Sequence, residues 1–111
     1  MKTILVIDDT AIIRQLLREF LEMEGYNVLT AETAELGFPK VMQADLVLSD
    51  VNTGGLYDGN ELCRKIKVDY PNLPVILMSS LSIFTSQADF TFTKGHDLGE
   101  LVGKVNELLT E

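Results

Sequence analysis

The chain has 111 residues, 46% of them hydrophobic and 23% charged, the profile of one globular domain that can bury a core but is too short to hold two. Nine basic against seventeen acidic residues leave a formal net charge of −8, which repels nucleic-acid phosphates and anionic lipid heads and excludes unaided binding to either. The lone cysteine, Cys63, excludes an internal disulfide and a Cys-based zinc site, and fits a reducing cytoplasm.

Residues 3–7 (TILVI) form a continuous apolar run, the mark of a strand buried on both faces. The run stops at Asp8-Asp9, too short for a signal-peptide core or a membrane span. Residues 10–24 carry Ile12, Ile13, Leu16, Leu17, Phe20 and Leu21 at helical spacing and end at Gly25. A strand at 27–30 precedes a helix near 33–43, which Pro39 is expected to shorten or kink because proline removes a backbone donor. Residues 45–49 (DLVLS) read as another buried strand, ending at Asp50. A Gly-rich loop leads through Asp58-Gly59 to a helix near 60–69 with Leu62, Cys63 and Ile66 inward. Strands follow at 74–78 and 90–93, then a helix at about 97–109 capped by Asp97, with Leu98, Leu101, Val102, Val105, Leu108 and Leu109 as its stripe.

This alternation predicts an α/β fold, a doubly wound five-stranded parallel sheet with right-handed crossovers. Only residues 79–89, rich in Ser and Thr, separate the fourth and fifth strands. A mean helix takes about 11 residues and each flanking loop about 2–6. The fourth helix is therefore expected to be shortened or absent.

In such sheets ligands bind outside the carboxyl ends of the strands. The residues at those ends are Asp8 and Asp9, Asp50, Ser79 and Lys94. Three convergent carboxylates repel one another unless a cation offsets them, and a hard divalent ion with oxygen ligands, most simply Mg²⁺, answers that need. Lys94 and Ser79 would hold an anionic group opposite the metal, with Ser80 a close competitor for the hydroxyl role. A carboxylate can itself be the nucleophile, forming an aspartyl-phosphate.

The segments I-L-V-I-D-D-T-A-I-I-R at 4–14, D-L-V-L-S-D-V-N at 45–52, D-G at 58–59, P-V-I-L-M-S-S at 74–80 and T-K at 93–94 together resemble the receiver domain of bacterial response regulators, the family of the chemotaxis regulator. The resemblance covers nearly the whole chain and implies one receiver domain over 1–111 with the flavodoxin-like strand order 2-1-3-4-5. It implies Asp50 as phosphoacceptor, Asp9 as a direct metal ligand, Asp8 as an aid through water or the outer shell, and the Asn52 backbone carbonyl as a further ligand. Ser79 and Lys94 stand where the family binds the phosphoryl group. The implied partners are a histidine kinase or phosphotransfer protein and a downstream target protein, in the cytoplasm, with no nucleic acid or membrane bound by this domain and the chain a monomer or weak dimer. By the same resemblance Asn52 and Leu81 lie where the family tunes hydrolysis of the acyl phosphate, and Leu81, with no polar group to orient water, implies slow self-dephosphorylation.

Four departures from the family pattern stand out. The segment V-N-T-G-G-L-Y-D-G after Asp50 lacks the usual Met-Pro or Leu-Pro, is one residue longer, and its glycines imply a more mobile loop. Gly95 replaces the proline that normally follows the lysine. Thr91, by register, or Phe92 must stand in for the switch aromatic on the fifth strand. The curtailed fourth helix removes much of the usual output and dimerisation face.

Two other readings compete. A pseudo-receiver would keep the fold and bind proteins without phosphorylation; the glycine loop, Gly95 and the curtailed helix favour it, and retention of Asp8, Asp9, Asp50, Ser79 and Lys94 opposes it. A metal-dependent phosphatase with an Asp nucleophile would need a general-acid carboxylate where Asn52 stands. Cys63 reads as a small buried hydrophobe, and His96 has no ligand partners at useful spacing. The chain stops at Thr110-Glu111, after its last helix, which suits a stand-alone protein and an excised domain equally.

Overall fold

A computed structural model describes residues 1–80, 87–95 and 97–110. Five strands, β1 (Thr3–Ile7), β2 (Asn27–Ala31), β3 (Leu46–Asp50), β4 (Val75–Ser79) and β5 (Phe90–Thr93), form one parallel sheet in the order β2-β1-β3-β4-β5. Helices α1 (Ala11–Met23), α2 (Ala34–Gly37), α3 (Gly59–Asp69) and α4 (Leu98–Leu109) connect and flank the strands. The expected fold class and strand order are thus observed. Of the segment 79–89, expected to hold a shortened or absent crossover helix, residues 81–86, Leu81 included, lie outside the described residues, as does His96.

β1 lies inside the sheet between β2 and β3, so both of its faces are covered, and Ile4, Leu5, Val6 and Ile7 are all fully buried. Alternate side chains then feed two cores. Ile4 and Val6 join Leu17, Leu21, Leu101 and Val105 beneath α1 and α4. Leu5 and Ile7 join Leu62, Cys63 and Ile66 beneath α3, with Ala34 and Val41 completing that layer. Burial on both faces is what makes the fold doubly wound.

The helix expected near 33–43 is split. After the single turn of α2, residues Phe38–Gln43 tighten into a 3₁₀ helix with Pro39 in its first turn, where the missing N–H costs no helical bond. β3 and β4 each run one residue further than the apolar pattern indicates, so Asp50 and Ser79 are the last residues of their strands.

The apolar set of α1 is wider than the surface it covers. Leu17 and Leu21 are buried and Ile13 packs beside them, whereas Ile12 is 78% exposed, Leu16 and Phe20 are about half that, and Met23 is 83% exposed. These four lie at i, i+4, i+8 and i+11, one outward row along the helix. On β5, Phe92 is buried in the α1–α4 layer and Thr91 is exposed on the other face. No helix among the described residues is long and apolar enough to cross a membrane.

Candidate functional site

The parallel strands end together, and their last residues meet at one edge. Asp8 follows β1 directly, donates its N–H to the Ala31 carbonyl at 3.2 Å, and is fully buried. Its Oδ1 accepts the Thr10 N–H at 2.9 Å, closing the turn into α1. Its own carbonyl accepts Nη1 of Arg14 at 2.7 Å, and Nη2 of Arg14 stands 3.9 Å from the Glu32 carboxylate. Arg14 thereby braces the acidic turn, a role sequence reading missed; its place one turn into α1 after two aspartates is the only signal for it.

Asp50, 7% exposed, closes β3 opposite Met78, and its Oδ1 lies 3.4 Å from the Asn52 N–H. Oxygens of Asp8, Asp9 and Asp50 lie within 4.8 Å of one another, with Asp9 exposed to water and the other two buried. Lys94, the first residue after β5, reaches between two of them: its Nζ is 3.0 Å from Asp8 Oδ2 and 3.1 Å from Asp50 Oδ2. Ser79 is buried at the end of β4, the strand between those of Asp50 and Lys94, and Ser80 is exposed one residue beyond. Asp8, Asp9, Asp50 and Lys94 are therefore assembled as expected, with Ser79 at the adjoining strand end and the Asn52 backbone beside Asp50.

Burial pushes the Asp50 carboxyl above its ordinary pKa, and the hydrogen bond and charge of Lys94 only partly offset that. Burial also works to lower the Lys94 pKa, but hydrogen bonds to Asp8 and Asp50 outweigh it and raise the ammonium above its usual value. Three carboxylates still face one ammonium. An all-oxygen donor set with excess negative charge is what a hard divalent cation requires, so the residues present fit Mg²⁺.

The Asp58-Gly59 pair holds the next element in place. Asp58 accepts the Glu61 N–H at 2.9 Å and caps α3. A Cβ on Gly59 would stand 2.5 Å from the Asp50 carbonyl oxygen, so only glycine lets α3 start against the end of β3. After Lys94 the chain turns at Gly95, whose φ of +97° is a left-handed conformation that disfavours other residues.

A wound sheet whose strand ends gather three carboxylates and a lysine is the architecture of a signalling receiver domain. The sequence profile of the response regulator receiver domain matches residues 4–105, and the chain belongs to this family, whose setting is two-component signalling. It is 38% identical over 81 residues to the response regulator FleR of Pseudomonas aeruginosa, covering 71% of this chain and 17% of FleR. It is 34% identical over 113 residues to the transcriptional regulatory protein YvrH of Bacillus subtilis, covering 93% of this chain and 47% of YvrH. The chain thus spans less than half the length of either relative. Among solved structures it resembles the response regulator TrrA of Thermotoga maritima in complex with Mg²⁺-BeF, with a TM-score of 0.90, 36% identity, and coverage of 98% of this chain and all of that one.

Proposed function

We propose that the chain, over 1–111, is a phosphoacceptor receiver domain that takes a phosphoryl group onto Asp50 and signals through protein contacts. The observation that carries this reading is Lys94 Nζ lying within hydrogen-bond reach of both Asp8 and Asp50 beside a third carboxylate. A structural lysine needs one carboxylate partner; a lysine shared by two, next to Asp9, suits a site that exchanges charged oxygens.

Asp8, Asp9, Asp50 and the Asn52 carbonyl would hold Mg²⁺, which when bound neutralises charge on the transferring oxygens. An Asp50 carboxylate oxygen attacks phosphorus in line with the histidine nitrogen of a phosphorylated kinase or phosphotransfer partner. The new O–P bond forms as the P–N bond breaks, and the imidazole nitrogen leaves with the electron pair. The Lys94 ammonium turns from the Asp50 carboxylate to the phosphoryl oxygens and the Ser79 hydroxyl donates to another, so that charge develops against fixed donors. Water later hydrolyses the acyl phosphate. The domain acts in the cytoplasm and passes its state to a downstream protein.

The test is incubation with Mg²⁺ and acetyl phosphate, followed by intact mass measurement. One added phosphoryl group, absent in Asp50→Asn, supports the proposal. No labelling at millimolar metal, with no change on adding beryllofluoride, would leave the pseudo-receiver reading in its place.

A further inference from the structure

We propose that Thr53 and Glu35 are positioning residues for the metal-binding loop, clamping it to the first turn of α2; this rests on the reading of Asp50 and its neighbours as a Mg²⁺ site. Thr53 is 2% exposed, three residues past Asp50. Its Oγ1 accepts the N–H of Ala34 at 3.1 Å, across 19 residues of sequence. Ala34 is the first residue of α2 and fully buried, so its N–H is one of the helix-start donors that lack an intrahelical acceptor and cannot reach water. Three residues further along the loop, the Leu56 N–H donates to Glu35 Oε1 at 2.8 Å. Between the two ties Gly55 lies flat on α2, where a Cβ would collide with Glu35 Oε1 and come within 3.0 Å of Thr33 Cβ.

The sequence taken alone makes this a mobile glycine loop, but α2 holds it from the side. Asn52 directly precedes Thr53, and its backbone is held on one side by the Asp50 carboxylate and on the other by this clamp. The direction of the Asn52 carbonyl, the one ligand of the proposed set that is not a carboxylate, is therefore set by Thr53 acting through α2. Two hydrogen bonds to α2 thus restrain a loop that holds two glycines and no proline.

The experiment titrates the whole chain with Mg²⁺ by calorimetry and follows amide hydrogen exchange in the metal-free protein. Thr53→Val keeps shape and removes the acceptor; Thr53→Ser keeps the acceptor. Thr53→Val is expected to weaken Mg²⁺ binding about tenfold or more and to speed exchange at Ala34, while Thr53→Ser restores both. Glu35→Ala, which alters a partly exposed side chain, is expected to weaken binding less and to speed exchange at Leu56. Unchanged Mg²⁺ affinity in Thr53→Val overturns the proposal even if the Ala34 amide opens, since the hydroxyl is then a helix cap alone. Should Thr53→Val not fold, unchanged affinity in Glu35→Ala overturns it instead. A wild-type chain that binds no Mg²⁺ removes the site itself, and the clamp's role with it.

Discussion

Lys94 donates its backbone N–H to the carbonyl of Ser79 at 2.8 Å. The ammonium and the hydroxyl of the site are thus carried on neighbouring strand ends joined by a main-chain bond, and their spacing is set by the sheet. Asp50 is carried on the strand beyond, where the Val51 N–H continues the ladder to Met78 at 2.9 Å. The site's geometry is in this sense a property of the backbone.

Removing the ammonium separates metal binding from transfer. Lys94→Met is expected to slow labelling of Asp50 by acetyl phosphate about 10²–10³-fold, the usual loss on deleting a preorganised charge-stabilising donor. Mg²⁺ affinity should hold or rise, because the variant removes a cation that competes for Asp8 and Asp50. Mass spectrometry over time and calorimetry read the two effects; unchanged labelling would contradict the role given to Lys94.

The same residue makes stability fall at high pH. Burial opposes the Lys94 charge, but Asp8 and Asp50 outweigh burial, so its folded pKa lies above the ordinary 10.5. The ion pairs therefore contribute fully below that ordinary value and are lost as pH rises through the raised one. Melting temperature measured between about pH 8 and 12 should drop more steeply in the wild type than in Lys94→Met. Parallel profiles would show that the pairs add nothing to folding.

Gly59→Ala tests the packing that seats α3 behind Asp50. The added Cβ meets the Asp50 carbonyl oxygen at 2.5 Å and Val51 Cα at 2.9 Å, both backbone atoms that yield only by shifting β3 or α3. A loss of about 1–3 kcal/mol is expected by urea denaturation, with weaker Mg²⁺ binding because the displaced strand end carries Asp50. Full stability in this variant would mean that the α3 start is looser than its contacts indicate.

Cys63 should be silent in the native state. It is buried on the inward face of α3, and burial raises its thiol pKa, with the Lys67 charge only partly countering. Iodoacetamide at mildly alkaline pH should leave it unmodified until denaturant is added, as read by mass. Rapid native alkylation would place the thiol at the surface.

The strands and the four charged site residues were legible because both depend on short-range pattern. A run such as TILVI reads as a doubly buried strand without any tertiary information, and in a parallel sheet the residues ending such runs must gather at one edge. Boundary errors of one residue at Asp50 and Ser79 left that logic intact. Contacts between the loop after β3 and α2 were not legible: the Thr53–Ala34 and Glu35–Leu56 bonds join segments 19 and 21 residues apart and follow no period. The outward row of α1 was hidden for the opposite reason. Ile12, Ile13, Leu16, Leu17, Phe20 and Leu21 all satisfy helical spacing, yet a helix lying on a flat sheet covers only the strip marked by Ile13, Leu17 and Leu21.

That uncovered row makes the chain's colloidal behaviour depend on salt. Ile12, Leu16, Phe20 and Met23 are a ready contact for a second copy. Opposing such contact is the mutual repulsion of molecules that each carry a formal charge of −8. Such repulsion reaches about 10 Å at 0.1 M salt and only about 3 Å at 1 M. Concentrated electrolyte weakens that repulsion while strengthening apolar attraction, so self-association read by light scattering is expected to rise with salt.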